Sequence, residues 1–343
     1  MRIGSKEVGR SVIVVAEAGV NHNGNLKRAL KMVDEAARTG ADAVKFQTFH
    51  TEKVVSQSAP KAEYQKKTSR GKTQLDMLKS LELSQADFVT ISRRAHVRGI
   101  IFLSTAFDYE SADFLDSIGV PAFKIGSGEI TNLPFLEYVA KKGKPVILST
   151  GMSYLEEVRD AVSTIRNQGN DNIVLLHCVS SYPANPEDSN LKAMQTLRDT
   201  FNAPVGFSDH TMGTEIAIAA AALGAVLIEK HFTLSRTLRG PDQKASLEPK
   251  EFGQMVRGIR LVGKAQGSGV KAPTEEEEKM RLVARRSIVS SVDINEGQLI
   301  SENMLDFKRP GTGIPPKDLR LLLGKRAARN IRRDEVLTWD MVE

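Results

Sequence analysis

The sequence contains a single cysteine, Cys178, and this scarcity excludes two classes of protein. One thiol can build neither an intrachain disulfide framework nor a thiolate cage for a metal ion. Long apolar runs are also missing, since no segment approaches the roughly 18 residues of a membrane-spanning helix. The most apolar segment near the N-terminus, residues 11–20, is the best candidate for a signal sequence. It carries Glu17 and lacks a cleavage pattern, so it indicates a strand instead. These absences predict a cytoplasmic protein that has no membrane partner.

Charge and aromatic content are both modest. The chain of 343 residues has 48 Lys and Arg against 42 Asp and Glu, which gives a net charge of +6. Aromatic residues make up 6% of the sequence, and no basic stripe is interleaved with them as a nucleic-acid-binding surface would require. A mildly positive surface suits an anionic small-molecule substrate. We therefore expect no nucleic-acid partner.

Short β-branched apolar runs alternate with longer amphipathic stretches from residue 12 to about residue 263. Between the runs, apolar residues recur at intervals of three and four, which predicts helices. Eight strand-then-helix units in about 250 residues have the number and length of a (β/α)8 barrel. The rival, a doubly wound open sheet, would carry GxGxxG after its first strand, and this chain has EAGVNHNG there. The predicted strands are residues 12–16, 43–46, 100–103, 122–125, 145–148, 173–176, 204–207 and 225–228.

We predict three parts: a barrel (1–263), a linker (264–283) and a small β-rich domain (284–343). The linker begins with Gly-Ser-Gly at 267–269, and Thr274 with Glu277 has the spacing of a capping box. The last part has short strands and tight turns, and a unit of this size is marginally stable alone. One barrel connection, residues 51–83, is overlong and polar, and long loops after barrel strands often form active-site walls or lids.

Polar side chains follow nearly every predicted strand at its carboxyl end. Such groups cost free energy to bury unless they are paired, and barrel active sites lie at this end. Alternation along a strand puts Glu229 on the same face as His231 and directs Lys230 the other way. The sequence therefore predicts one active site at the carboxyl ends of the strands. The groups there include Glu17, Lys45, Gln47, Ser104, Thr105, Lys124, Ser127, Ser149, His177, Tyr182, Asp209, His210, Glu229 and His231.

Two pairs among these residues suggest particular chemistry. His210 and His231 end neighbouring strands, which lie about 4.8 Å apart, within bridging distance of one divalent ion. Two imidazoles leave open positions for water and substrate oxygens, as a catalytic metal needs. Lys45 and Lys124 form the predicted cationic pair, and Gly-Ser-Gly at 126–128 beside them adds a phosphate-binding signal.

The segments that carry these residues resemble the sialic acid synthase family. The final part, with KRPGTGI (308–314), resembles that family's antifreeze-like (SAF) domain, a β-clip fold. The resemblance covers nearly the whole chain, and the order of the motifs makes it specific. The similar barrel segments are AEAGVNHNG (16–24), VKFQTF (44–49), STAFD (104–108), KIGSGE (124–129), LSTGM (148–152), FSDHT (207–211), EKHFT (229–233) and RGPDQKASLEP (239–249).

The resemblance implies condensation of phosphoenolpyruvate with N-acetylmannosamine or a close N-acetylated relative and water, giving a nine-carbon sialic acid and phosphate by C–O cleavage. It implies Mn²⁺ or Mg²⁺ as cofactor, bound by His210 and His231. It also implies a domain-swapped homodimer in which Arg309 enters the site of the partner subunit. Glu17, Gln47 and Asp242 would face the sugar and the attacking water, and Glu17 is our choice of general base. Phosphoenolpyruvate would be held by Lys45, Thr105, Lys124, Ser127, Ser149 and Tyr182.

Three positions depart from the family pattern: Gln243 replaces a frequent histidine, Ser180 an asparagine and Ala106 a proline. A sister synthase that makes legionaminic or pseudaminic acid from a 6-deoxy-diacetamido sugar shares these motifs and stays open. A lysine Schiff-base aldolase using Lys124 would leave both strand-end histidines without a role. A structural, carbohydrate-binding or ice-binding protein would not need the polar strand ends.

Overall fold

The computed structural model describes residues 1–61 and 73–343, which divide into two compact units, Met1–Gly267 and Ser268–Glu343. A small hairpin of β1 (Arg2–Ile3) and β2 (Lys6–Glu7) opens the first unit. Eight parallel strands follow and close into a barrel when β10 pairs with β3, which confirms the predicted (β/α)8 fold. These strands are β3 (Ile13–Gly19), β4 (Ala43–Thr48), β5 (Ile101–Ala106), β6 (Phe123–Ile125), β7 (Val146–Ser149), β8 (Ile173–Cys178), β9 (Val205–Asp209) and β10 (Leu227–His231).

Helices alternate with the strands and cover the outside of the barrel. The described residues of the overlong connection after β4 include the short helices α2 (Thr51–Val54) and α3 (Gln74–Lys79), and its residues 62–72 lie outside the described residues. Within the described parts of the chain, none of the helices has the length and hydropathy needed to cross a bilayer. The helices of this unit are α1 (Leu26–Arg38), α2 (Thr51–Val54), α3 (Gln74–Lys79), α4 (Gln85–Val97), α5 (Tyr109–Ser117), α6 (Leu133–Ala140), α7 (Leu155–Asn167), α8 (Ala193–Phe201), α9 (Glu215–Ala222) and α10 (Pro249–Ala265).

Most barrel strands extend past the apolar runs that predicted them. For example, β3 continues through Glu17 to Gly19, and β10 continues to His231. The backbone amides and carbonyls of these polar residues still pair across the ladder, because strand hydrogen bonds do not depend on the side chain. The candidate site residues at these ends therefore sit on strands, which hold side chains more rigidly than loops do.

The apolar core of the barrel has two layers. Outward strand residues such as Val14, Val44 and Phe46 pack with the helices in one large cluster. Inward residues such as Val15 and Leu103 fill the lumen together with Ile3 of the hairpin. Because the lumen is packed at this level, the inward side chains nearer the carboxyl ends line a cavity open to one side only.

The second unit has its own core. Its helix α11 (Glu275–Ala284) begins after Thr274, whose hydroxyl accepts from the Glu277 amide in the predicted capping box. Strands β11 (Ser287–Ser290) and β12 (Leu305–Lys308) pair antiparallel, and a short helix α12 (Leu319–Leu322) follows. The core is rich in isoleucine, including Ile288, Ile294, Ile300, Ile314 and Ile331.

Candidate active site

A cavity of about 510 Å³ lies at the carboxyl ends of the barrel strands. Lys124 is buried immediately beside it, and its Nζ donates to the hydroxyl of Ser149 at 2.7 Å. Arg309 belongs to the second unit and is exposed there. The other predicted site residues line the cavity: Glu17, Lys45, Gln47, Thr105, Ser127, Ser149, Tyr182, His210, His231 and Asp242.

Two lysines and two carboxylates form a buried ionic cluster at this cavity. The Nζ of Lys45 lies 2.6 Å from Glu17 Oε2 and 3.7 Å from Glu229 Oε2. The Nζ of Lys124 lies 3.8 Å from Glu229 Oε1. Buried charges are tolerated when they are paired in this way. The cluster therefore holds fixed cations next to a space large enough for a small anion.

The two carboxylates differ in their affinity for a proton. Burial raises the pKa of Glu17 to about 7, with the negative charge of Glu229 adding to the effect and Lys45 opposing it. Burial acts on Glu229 too, but Lys124 and Lys45 outweigh it and lower the pKa of Glu229 to about 2. Two carboxyl groups whose pKa values are driven apart can take different roles. Glu229 stays ionised, whereas Glu17 is suited to exchange a proton near neutral pH.

The position of Glu17 depends on a bulge at the end of β3. The register with β4 shifts between Glu17 and Gly19, and Gly19 has a φ of +47°. A Cβ on Gly19 would lie 3.1 Å from Glu17 Oε1 and 3.3 Å from Gln47 Nε2. The amide of Gln47 donates to Glu17 Oε1 at 3.2 Å. Glycine at this position therefore leaves the space in which these two side chains meet.

Hydroxyl donors lie beside the two lysines of the ionic cluster. Lys45 Nζ donates to Thr105 Oγ1 at 2.9 Å, as Lys124 does to Ser149. The Gly151 amide donates to Ser127 Oγ at 3.0 Å, and a Cβ on Gly151 would lie 2.4 Å from Ser180 Oγ. Ser180 thus lies in the cavity wall. This donor set suits a ligand with phosphate or carboxylate oxygens.

The two strand-end histidines face each other, with ring centroids 5.5 Å apart. The Nδ1 of His210 lies 2.6 Å from the Val179 carbonyl oxygen, which can only accept, so the proton is on Nδ1 and Nε2 has a lone pair. The buried Nδ1 of His231 has no hydrogen-bond partner in the described chain. Burial lowers the pKa of both histidines, which favours the neutral form. The ring of Tyr182 packs on both, at centroid distances of 4.3 and 5.5 Å.

These features fit a divalent cation. Metal-binding imidazoles are neutral, and one ring nitrogen commonly donates to a backbone carbonyl, as His210 does to Val179. In residues 1–61 and 73–343 no group of three or more His, Cys, Asp or Glu is arranged to hold a metal ion. Water and substrate oxygens would therefore complete the coordination of an ion held by His210 and His231, as in catalytic metal sites.

Lys230 points away from the cavity, as the alternation along β10 predicts. Its ammonium group donates to Asp209 Oδ2 at 2.7 Å and to the Thr211 carbonyl at 2.6 Å. These two residues flank His210 in sequence, so one buried cation fixes the backbone on both sides of that histidine. We interpret Lys230 as a positioning residue for His210.

Asp242 and Gln243 are neighbours in very different surroundings. Asp242 lines the cavity, and burial raises its pKa to about 6. Gln243 is fully buried; its amide donates to the Asn21 carbonyl at 2.9 Å and accepts from the Thr233 hydroxyl. Gln243 therefore joins its loop to the segment after β3.

Glu229 is a strand-end group that the sequence analysis listed but to which it assigned no role in binding or catalysis. It lines the cavity, contacts both lysines and accepts from Ser208 Oγ at 2.9 Å. The sequence could have indicated a role for Glu229 in the site, because alternation along the strand placed it on the same face as His231. By contrast, the Nε2 of His177 lies 2.9 Å from the Ser189 carbonyl oxygen, which gives this histidine a structural contact.

Comparison with known proteins adds independent information. The sequence matches the NeuB family over residues 32–271 and the SAF domain over residues 285–343. It is 48% identical over 335 residues to the N,N'-diacetyllegionaminic acid synthase of Legionella pneumophila, covering 96% of this chain and 94% of that protein. It is 36% identical over 332 residues to the human N-acetylneuraminate-9-phosphate synthase, covering 96% and 92%. The crystal structure of an N-acetylneuraminic acid synthetase from Leptospira borgpetersenii superposes with a TM-score of 0.74 at 37% identity, over 82% of this chain and 94% of that one.

Proposed function

We propose, because the chain belongs to the NeuB family and carries a SAF domain, that it condenses phosphoenolpyruvate with an N-acetylated amino sugar and water. The products would be a nine-carbon sugar acid of the sialic acid type and inorganic phosphate. The observation that supports this most is the convergence of two buried lysines, two carboxylates and two neutral histidines around one cavity.

In this proposal the lysines bind and orient phosphoenolpyruvate. Lys45 and Lys124 provide the positive charge for its carboxylate and phosphate, with Thr105, Ser127 and Ser149 donating hydrogen bonds. The ionised Glu229 keeps both ammonium groups in place, at 3.7 and 3.8 Å. The ligand is thereby fixed with its C3 free to approach an aldehyde carbon.

The bond changes follow from this arrangement. C3 of phosphoenolpyruvate forms a bond to the aldehyde carbon, the aldehyde oxygen takes a proton from solvent, and C2 is left as an oxocarbenium. Water adds to C2 while Glu17 accepts a proton from it, a role that the raised pKa of this carboxyl suits. The C2 hydroxyl of the tetrahedral intermediate then loses its proton to the leaving phosphate as the C–O bond breaks, so that C2 becomes the ketone of the product. Gln47 and Asp242 line the side of the cavity left for the sugar.

His210 and His231 would hold the divalent ion, Mn²⁺ or Mg²⁺. When bound, such an ion supplies Lewis-acid polarisation of a carbonyl oxygen. The histidines themselves are kept neutral by burial, and the hydrogen bond from His210 to Val179 sets the ring orientation.

Two acceptor sugars are considered, N-acetylmannosamine and a 6-deoxy-diacetamido sugar. The identity to the legionaminic acid synthase of Legionella pneumophila is 48%, against 37% to the N-acetylneuraminic acid synthetase of Leptospira borgpetersenii. This difference supports the diacetamido sugar as the natural acceptor. It does not alter the roles proposed for the strand-end residues, which the condensation itself requires.

Phosphate release tests the proposal directly. We expect the purified full-length chain to release phosphate from phosphoenolpyruvate only when an acceptor and Mn²⁺ or Mg²⁺ are both present. Chelation should reduce the rate to background, and added metal should restore it. Reactions without acceptor are the control for hydrolysis of phosphoenolpyruvate. No release with either acceptor would contradict the function, and full activity under chelation would contradict the metal role.

We also propose that Arg309 acts in the active site of the partner subunit of a homodimer. The residue is exposed on the second unit, where its guanidinium could donate to an N-acetyl oxygen. We expect Arg309→Ala and His231→Ala chains, each inactive alone, to regain about a quarter of the wild-type activity when equal amounts pair at random, since half of the dimers are then mixed and one of their two sites is intact. Verified mixed dimers that stay inactive would refute action in trans.

A further inference from the structure

One wall of the cavity is apolar, and a small hydrophobic cluster separate from the barrel cores builds it. The exposed fractions of Val20, Met77 and Leu81 in this cluster are only 4%, 2% and 5%. Their side chains nevertheless line the cavity, so a ligand inside it would contact them. We name this surface the apolar wall; it consists of Val20, Phe49, Val54, Met77, Leu78, Leu81 and Phe107.

Two short helices in the connection between β4 and α4 hold the apolar wall in place. Thr73 and Asp76 form a capping box at the start of α3, which carries Met77 and Leu78. The hydroxyl of Thr51, at the start of α2, donates to the carboxylate of Glu82 at 2.6 Å and so joins the two ends of the connection. The wall is therefore supported by hydrogen bonds within the chain.

The apolar wall contrasts with the ionic part of the cavity. Of the described residues between 49 and 81, those that line the cavity include no charged side chain, and Gln74 is the polar one among them. A hydroxyl or phosphate group against this wall would lose hydration without gaining equivalent hydrogen bonds. A methyl group there would gain free energy by leaving water.

We infer that the apolar wall receives the terminal carbon of the acceptor and makes the enzyme select a sugar that ends in a methyl group. This inference rests on the proposed function, in which the aldehyde carbon must reach phosphoenolpyruvate beside Lys45 and Lys124. The far end of the acceptor must then point away from the two lysines, and in this inference it reaches Met77 and Leu78 of the apolar wall, which line the same cavity. These two residues are specificity determinants for a 6-deoxy acceptor.

Two acceptors that differ by one hydroxyl test the inference: N-acetylmannosamine and its 6-deoxy derivative. We expect kcat/KM of the wild type to be about tenfold or more higher for the 6-deoxy sugar, the scale on which apolar pockets discriminate. Leu78→Gln should lower this preference about tenfold by placing an amide in the wall. Leu78→Met conserves volume and should keep the preference. Leu261→Gln, at an exposed leucine on α10, is the matched control and should change neither rate.

The outcomes separate the inference from the proposed function. A wild type that uses both sugars equally, or prefers N-acetylmannosamine, overturns the inference, and this comparison holds even if Leu78→Gln fails to fold. Equal slowing of both sugars by Leu78→Gln also overturns it. A loss of preference in Leu78→Gln but not in Leu78→Met supports it. Failure of phosphate release with these sugars and with the diacetamido sugar would instead contradict the synthase function.

Discussion

Replacing Glu17 by glutamine is expected to lower kcat by about 10²- to 10⁴-fold, the usual contribution of a positioned general base. Glutamine has nearly the same shape and can still accept from Gln47, but it cannot take a proton from water. Lys45 keeps Glu229 as a neighbour, at 3.7 Å. The cavity of the variant therefore keeps its cations and gains positive charge, and phosphoenolpyruvate should bind at least as well as to the wild type.

Steady-state phosphate release would measure kcat, and calorimetric titration would measure the affinity for phosphoenolpyruvate. Glu156→Gln, at an exposed carboxylate on α7, is a matched control and should behave like the wild type. A Glu17→Gln enzyme with kcat within a few-fold of the wild type would remove Glu17 from the mechanism. A variant that binds phosphoenolpyruvate much more weakly would show that Glu17 acts mainly through the position of Lys45.

The alternative base is Glu229, and the electrostatics argue against it. Lys124 and Lys45 hold the pKa of Glu229 near 2, whereas burial brings that of Glu17 near 7. A carboxylate that binds protons so weakly is a poor acceptor at neutral pH. Glu229 is better placed to hold the two ammonium groups in position, at distances of 3.7 and 3.8 Å, and to accept a hydrogen bond from Ser208. The two carboxylates thus divide binding and proton transfer between them.

Periodicity alone predicted much of this site. Alternation along β10 predicts that His231 and Glu229 share a face and that Lys230 points away, and the structure agrees on both counts. Barrel topology predicts that residues more than 200 positions apart, such as Glu17 and His231, end adjacent strands. Such inferences succeed because they need only the strand period and the closed order of the strands.

The remaining features depend on interactions that no local pattern contains. The separation of the pKa values of Glu17 and Glu229 arises from burial and from lysines on two other strands. The apolar wall includes Met77 and Leu78, which lie on a six-residue helix in a long connection and have no periodic relation to the barrel. Most of the predicted strands end before the observed ones, because the apolar runs that predicted them stop where the polar site residues begin.

Replacing Lys230 by methionine is expected to lower the free energy of unfolding of the barrel by about 3–5 kcal/mol, the cost of removing one partner of a buried ion pair. Lys230 and Asp209 have side-chain exposures of 0% and lie 2.7 Å apart. Without the ammonium group, Asp209 Oδ2 and the Thr211 carbonyl both lose a donor, while Oδ1 keeps the amide and hydroxyl of Thr211. The backbone on both sides of His210 also loses its common anchor.

Urea unfolding followed by helical circular dichroism reports mainly on the barrel, whereas the fluorescence of Trp339, the single tryptophan, reports on the second unit. The loss of stability should therefore appear in the circular dichroism signal.

Lys250→Met, at an exposed lysine of α10, is the matched control and should change stability by less than about 0.5 kcal/mol. The double variant Lys230→Met/Asp209→Asn should recover part of the loss, because it removes the uncompensated charge. If Lys230→Met is as stable as Lys250→Met, the ion pair does not stabilise the barrel. If it is unstable but retains wild-type affinity for Mn²⁺, Lys230 does not position His210.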